Sequence, residues 1–329
     1  MSFEFSLLGL IVVASWALTL PVNSLVSVAL ALLIFISKSI SFSLLFLLSL
    51  NLFALIQAIL GGKRSGSGRT LKRYMMVFFG IFCAIMGSAI PNAQIGQPLV
   101  FFGLIFTIAN SLSSLVFYEH YEALSLKAFI FSVVIPSLAA INILLKVKTG
   151  FKAEYSQMWD FTLLAIGLSS YLVSSLLALC KKRLRLVLIY LAQGWIGILL
   201  FLSVMDSESL SREVYAAYAI SAVSSIMLLN VASKLGGRYF SFAKIMVLGL
   251  PGTISFTALI LSLKLTLSLS AILLSVLGAG YILQAITLIS LRSESLESSL
   301  TMRIRFWVIT LTQFASGILL FWMNREGLK

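Results

Sequence analysis

The sequence predicts an all-α polytopic membrane protein of about twelve transmembrane helices, on three observations. Hydrophobic residues make up 60% of the 329-residue chain, and mean hydropathy is +1.06. Only 11% of residues are charged, against about 25% in soluble domains, which is too few to cover a globular surface. Asp, Glu, Lys and Arg are absent from 5–37, 39–62, 74–118, 128–145, 161–180, 186–205, 214–233, 245–263, 265–291 and 306–324. A hydrocarbon core of about 30 Å needs about 20 helical residues. These runs also lack the alternating segments of about ten residues that mark barrel strands, and helices bond their own backbone within lipid.

In chain order the spans fall at 5–20, 22–37, 39–60, 75–91, 98–117, 128–145, 161–179, 186–204, 214–231, 245–262, 266–290 and 306–323. Pro21, followed by Asn23 and Ser24, divides the first run. Pro91-Asn92-Ala93-Gln94-Ile95-Gly96-Gln97 is a turn signal inside 74–118. One transmembrane domain over 1–329 is expected, with an interfacial polar segment at 292–304 before the last helix at 306–323. The first apolar stretch has no basic region before it, so no cleavable signal peptide is expected. Gly61 to Arg69 reads as a flexible basic loop, since it lacks the spacing of a phosphate-binding loop and follows no strand.

The net charge is +13. In a chain of this hydropathy the excess points to cytoplasmic loops, not to nucleic acid. With twelve spans, the loops near 61–74, 118–127, 180–185, 232–244 and 292–305 share one side. They hold 16 of the 24 Lys and Arg residues, Arg73 and Lys182 among them. That side is expected to be cytoplasmic, with both termini opposite, in a bacterial inner membrane or an equivalent energy-transducing membrane. His120 is the only histidine, and Cys83 and Cys180 lack metal-ligand spacing. No metal and no cofactor is therefore expected, and the chain alone has no catalytic constellation.

Charged residues at membrane depth mark ion pathways, and these runs have no Asp, Glu, Lys or Arg. Lys264 lies between two runs, where its amine can snorkel to the interface. Asn51, Asn110, Asn142, Gln193 and Gln313 are mid-span amides, suited to bonding a neighbouring helix. Gly249-Leu250-Pro251-Gly252 interrupts the tenth span, and Asn110-Ser111-Leu112-Ser113-Ser114 softens the fifth. Glu119, His120 and Glu122 form a titratable cluster in a loop.

Several stretches together resemble one family. Lys182-Arg183-Leu184 precedes Gly194-Trp195 at the start of a helix. Gly249-Leu250-Pro251-Gly252-Thr253-Ile254-Ser255-Phe256 follows as a break. Glu119-His120-Tyr121-Glu122 leads into a helix carrying Pro136 and ending Leu144-Leu145-Lys146. Leu47 to Phe53, and then Leu71-Lys72-Arg73-Tyr74, come earlier. In this order they resemble the antiporter-like membrane subunits of respiratory complex I and related membrane-bound hydrogenases. The subunit type beside the quinone module is the nearest in pattern. The resemblance covers about 20–290 and implies an antiporter-like fold lacking its first two helices.

The family carries a central row of one Glu, two relay Lys and a further Lys or Glu. The spacings put Phe46, Thr107, Ser137 and Leu259 at those places. A degenerate member of a NADH-quinone oxidoreductase or hydrogenase type of complex is implied, structural or with an impaired proton path. Its partners would be other membrane subunits and lipids, with quinone nearby. Two alternatives stay open. One is a transporter or channel on the same scaffold, with a polar route through Thr107, Asn110, Ser111, Ser137 and Asn142. The other is an unrelated multi-span solute or lipid carrier.

Overall fold

The computed structural model describes residues 11–12, 14–18, 20, 25–37, 39–61, 67–112, 125–148, 156–203, 208–267, 271–292 and 299–323. Every regular element among them is helical: α1 Leu25–Ile36, α2 Ile40–Gly61, α3 Ser67–Ala89, α4 Ala93–Leu112, α5 Leu126–Lys148, α6 Ser156–Cys180, α7 Leu184–Leu202, α8 Glu208–Leu235, α9 Gly237–Val247, α10 Ile254–Leu267, α11 Ala271–Ser290 and α12 Leu300–Met323. Seven helices among the described residues are long and apolar enough to cross a membrane: Ile40–Ile59, Thr70–Ala89, Leu126–Lys148, Met158–Cys180, Leu184–Leu202, Val214–Leu235 and Leu300–Met323. Leu25–Ile36, Gln94–Asn110, Ile254–Leu263 and Leu274–Ser290 are shorter and equally apolar in character. Half of the predicted first span, 5–20, lies outside the described residues.

The chain folds as two compact units. Unit 1 comprises 1–10, 23–170 and 196–204. At its centre α5 is buried almost all round, as expected of a helix apolar on every face. Around it pack α1, α2 and α4, and α3 lies against α4 along most of their length. Glycines permit that approach. A β-carbon on Gly80 would come 2.8 Å from the Gly103 carbonyl, and one on Gly87 would come 2.7 Å from the Gly96 carbonyl. Small residues let helices meet backbone to backbone where lipid supplies no hydrophobic drive.

The sequence of α5 explains an irregularity that hydropathy does not reveal. Ser125 caps its start, accepting from the Ala128 N–H at 3.1 Å. Ile130–Val134 then forms a π turn, closed by the Ile135 N–H on the Ile130 carbonyl. Pro136 follows and has no N–H, so the Ser132 carbonyl lacks its helical donor. Two side chains of α3 take that carbonyl: the Tyr74 hydroxyl at 3.2 Å and Arg73 Nη1 at 3.5 Å.

Arg73 corrects an expectation. Read as part of the basic loop 61–74, it is instead 1% exposed inside α3. Thr70, Arg73, Tyr74, Val77, Ile81 and Ala84 are all buried, a helical stripe that extends back beyond the charge-free run. Asn110 lies in a helix described through Leu112, and its amide donates to the Phe106 carbonyl at 2.8 Å; Ser113 and Ser114 of the same stretch lie outside the described residues.

Unit 2 comprises 11–22, 171–195 and 205–329. Its buried helix is α8, against which α9, α10 and α12 pack. Trp16 belongs to this unit and donates its indole N–H to the Ala219 carbonyl at 3.0 Å. The segment read as loop 232–244 is largely helical: α8 runs to Leu235 and α9 begins at Gly237.

Candidate functional site

The four residues that the resemblance sets at ionisable places all stand on helices. Phe46 is half-buried on α2, and Thr107 and Ser137 are buried on α4 and α5. These three belong to unit 1, whereas Leu259, half-buried on α10, belongs to unit 2. Thr107 Oγ1 donates to the Gly103 carbonyl at 2.8 Å and lies 3.5 Å from the Val77 carbonyl. Gly80 backs it so closely that a β-carbon there would come 2.5 Å from Thr107 Oγ1. Ser137 Oγ donates to the Val133 carbonyl at 2.7 Å. Each hydroxyl therefore commits its proton to its own helix. The side chains at these four places cannot take up or release a proton near neutral pH.

The remaining candidates divide by partner. Asn142 is 2% exposed on α5, and its Oδ1 has no hydrogen-bond partner among the described residues. Gln193, at mid-length of α7, is fully buried with neither end of its amide bonded among them. Lys182 is exposed ahead of α7. Lys264 falls within the span of α10, whereas Glu119 and His120 lie outside the described residues. No group of three or more His, Cys, Asp or Glu side chains stands together among the described residues.

Lys146 is half-buried near the end of α5, and its ammonium meets three backbone carbonyls. They are Ile34 at 2.5 Å, Phe35 at 3.2 Å and Ser37 at 2.8 Å, at the C-terminal end of α1. Helix ends leave carbonyls without intrahelical donors and carry partial negative charge, so a lysine suits the place. Lys148 does likewise for Ser203, at 3.3 Å, and pairs with Asp160 at 3.1 Å. In unit 2 Lys244 of α9 donates to the carbonyls of Ile289 and Leu291, at 3.2 and 2.5 Å, at the C-terminal end of α11. Burial lowers its pKa from the ordinary lysine value. These lysine caps were not read from sequence, because which helix end meets which lysine is a tertiary fact.

Gly249 and Pro251 lie in the connection between α9 and α10. Gly249 and Gly252 hold φ of 101° and 89°, a region open to glycine. Thr253 then caps α10: its Oγ1 accepts from the Phe256 N–H at 3.3 Å and donates to the Leu250 carbonyl at 2.8 Å. The Tyr281 hydroxyl donates to the Leu248 carbonyl, so α11 supports the break.

No family model matches the sequence, and no curated protein does. Solved structures match over almost the whole chain. One is a chain of respiratory complex I from Thermus thermophilus with bound NADH, with a TM-score of 0.77 at 14% identity over 98% of this chain and 82% of that one. Another belongs to the membrane-bound sulfane sulfur reductase, an archaeal respiratory membrane complex, with a TM-score of 0.75 at 13% identity over 96% and 79%. The class is thus an all-helical integral membrane protein. More particularly, its fold is shared with chains of these two respiratory membrane complexes.

Proposed function

We propose that this chain is an antiporter-like membrane subunit of a redox-driven complex, of the NADH-quinone oxidoreductase or hydrogenase type, whose own proton path is impaired. It works as a single transmembrane domain, packs against other multi-span subunits and lipid, and keeps the bilayer sealed. Its basic loops face the cytoplasm of a bacterial inner membrane or an equivalent energy-transducing membrane. The fold shared with two respiratory membrane complexes supports the setting.

One observation carries the impaired path: Thr107, which the resemblance sets at a relay-lysine place, has no titratable group, and its hydroxyl is bonded to the Gly103 carbonyl and packed against Gly80. The cations at the span ends do not replace it. Arg73 is engaged with the Ser132 carbonyl of α5. Lys146 stands at the third position from the end of its span, on the carbonyls of α1.

The test has two arms. Affinity purification in mild detergent, followed by mass spectrometry, is expected to recover quinone-reductase or hydrogenase subunits with this chain. The purified chain in liposomes is expected to leave an imposed pH gradient at the rate of a lipid control. Gradient collapse well above that control overturns the impaired path. A monomer that takes up solute on its own overturns the subunit assignment and favours a carrier.

A further inference from the structure

A seam of uncharged polar side chains runs along α8, α10 and α12 inside unit 2. The Tyr218 hydroxyl donates to Ser262 Oγ at 3.3 Å. Ser255 Oγ lies 3.0 Å from Ser221 Oγ and 3.4 Å from Ser225 Oγ. Gln313 Nε2 closes the seam, donating to Ser224 Oγ at 3.1 Å and Ser225 Oγ at 3.2 Å.

The seam determines which way the Gln313 amide points. Ser224 Oγ donates its proton to the Ile220 carbonyl at 2.7 Å, so toward Gln313 it can only accept. The amide must present N–H groups to it, which turns Oε1 to the far side. There Oε1 meets no partner among the described residues, although Gln313 is 0% exposed. One turn earlier on the same helix Thr310 is 2% exposed, and its Oγ1 has no partner among them either. Its neighbours behave differently: Thr312 and Ser316 donate to the carbonyls four residues back, at 2.8 and 2.6 Å. Thr310 is thus the hydroxyl of this stretch that keeps its proton available.

Residues three apart share one helix face. A buried acceptor and a buried donor, each without a partner among the described residues, are therefore carried on one face of α12, and buried polar atoms of this kind are met by ordered water. We propose that a water molecule is bound between Thr310 and Gln313, accepting from the threonine hydroxyl and donating to the amide oxygen. It completes the cluster that fixes α12 on α8, so this unit carries internal hydration without any charge at the site.

Two measurements on the full chain test the proposal. Electron cryomicroscopy in lipid nanodiscs, with a rigid antibody fragment bound and at about 2.5 Å resolution, should show density at hydrogen-bond distance from Thr310 Oγ1 and Gln313 Oε1. An empty gap or a direct Thr310–Gln313 bond overturns it. Thermal unfolding in detergent should show Thr310→Val lowering the midpoint by about 2–4 °C in the wild-type background. In a Gln313→Met background, where the water has already lost its acceptor, the same change should have no effect, and Thr310→Ser should retain the wild-type midpoint. Additive losses from the two substitutions overturn the proposal.

Discussion

At the scale of single residues, burial in lipid makes every polar atom look for a partner, and most found here are backbone carbonyls. Lys146 shows this best. Its ammonium replaces donors that the end of α1 lacks. Lys146→Met is therefore expected to lower stability by about 1–3 kcal/mol, the cost of leaving buried acceptors unmet, with Lys146→Arg recovering part of it. Thermal unfolding of the purified chain measures both. Thr107 makes the complementary case. Thr107→Lys places a long cationic chain against Gly80, and Gly80→Leu forces α3 and α4 apart. Both are expected to destabilise by at least about 1–3 kcal/mol. Thr107→Lys is further expected to give no proton flux in liposomes, because the helices close around that position. Restored flux would show that only the charge had been lost.

At the scale of elements, the charge-free runs made the helices legible, because length and hydropathy decide what spans a bilayer. The interruptions were legible only in part. The glycines and proline of 249–252 announced the end of a helix. They did not announce that α9 precedes the break as a separate helix, because α9 carries Arg238 and Lys244 and so resembles a loop in composition. The π turn was hidden for a different reason. Pro136 reveals an orphan carbonyl at Ser132, but only tertiary packing reveals that Tyr74 and Arg73 reach it. Composition assigns Arg73 to a loop because the charge-free run begins only at Tyr74, whereas the buried stripe continues back through Arg73 to Thr70.

That account of α5 is testable. Tyr74→Phe is expected to cost about 1 kcal/mol in the wild type and distinctly less in a Pro136→Ala background, where the Ser132 carbonyl regains a helical donor. Equal losses in both backgrounds would break the link. Glycines supply a contrast between elements. Gly252→Ala meets a φ of 89° and the Phe314 ring at 3.4 Å, and is expected to destabilise by about 1–2 kcal/mol. Gly278→Ala, in α11 with nothing within 4 Å of its would-be β-carbon, is expected to be neutral or to stabilise by up to about 1 kcal/mol. Midpoints of thermal unfolding compare the two.

At the scale of the whole molecule, the arrangement inverts that of a soluble protein. The buried helices α5 and α8 carry amides and hydroxyls, while the outward faces of α2, α3 and α12 present large apolar side chains. Leu52 and Ile56, Phe79 and Phe82, and Leu311 and Ile318 are each 47% exposed or more. Water would not tolerate such surfaces, and lipid or neighbouring membrane subunits would. Depth then sets the sign of a substitution. Leu311 lies at mid-length of α12 and is 65% exposed. In a soluble protein an exposed Leu→Asp change is nearly silent. In a bilayer the same change puts a carboxylate at the centre of a span, at about 2.5–3.5 kcal/mol on insertion scales. Leu311→Asp is accordingly expected to cut the membrane-integrated yield severalfold. Leu300→Lys, 73% exposed at the helix start, should integrate as the wild type does, since its amine can reach the interface. Quantitative blotting of membrane and soluble fractions decides it. Equal recovery of the two variants would mean that the outward face of α12 does not meet hydrocarbon, and that a polar surface of another subunit covers it.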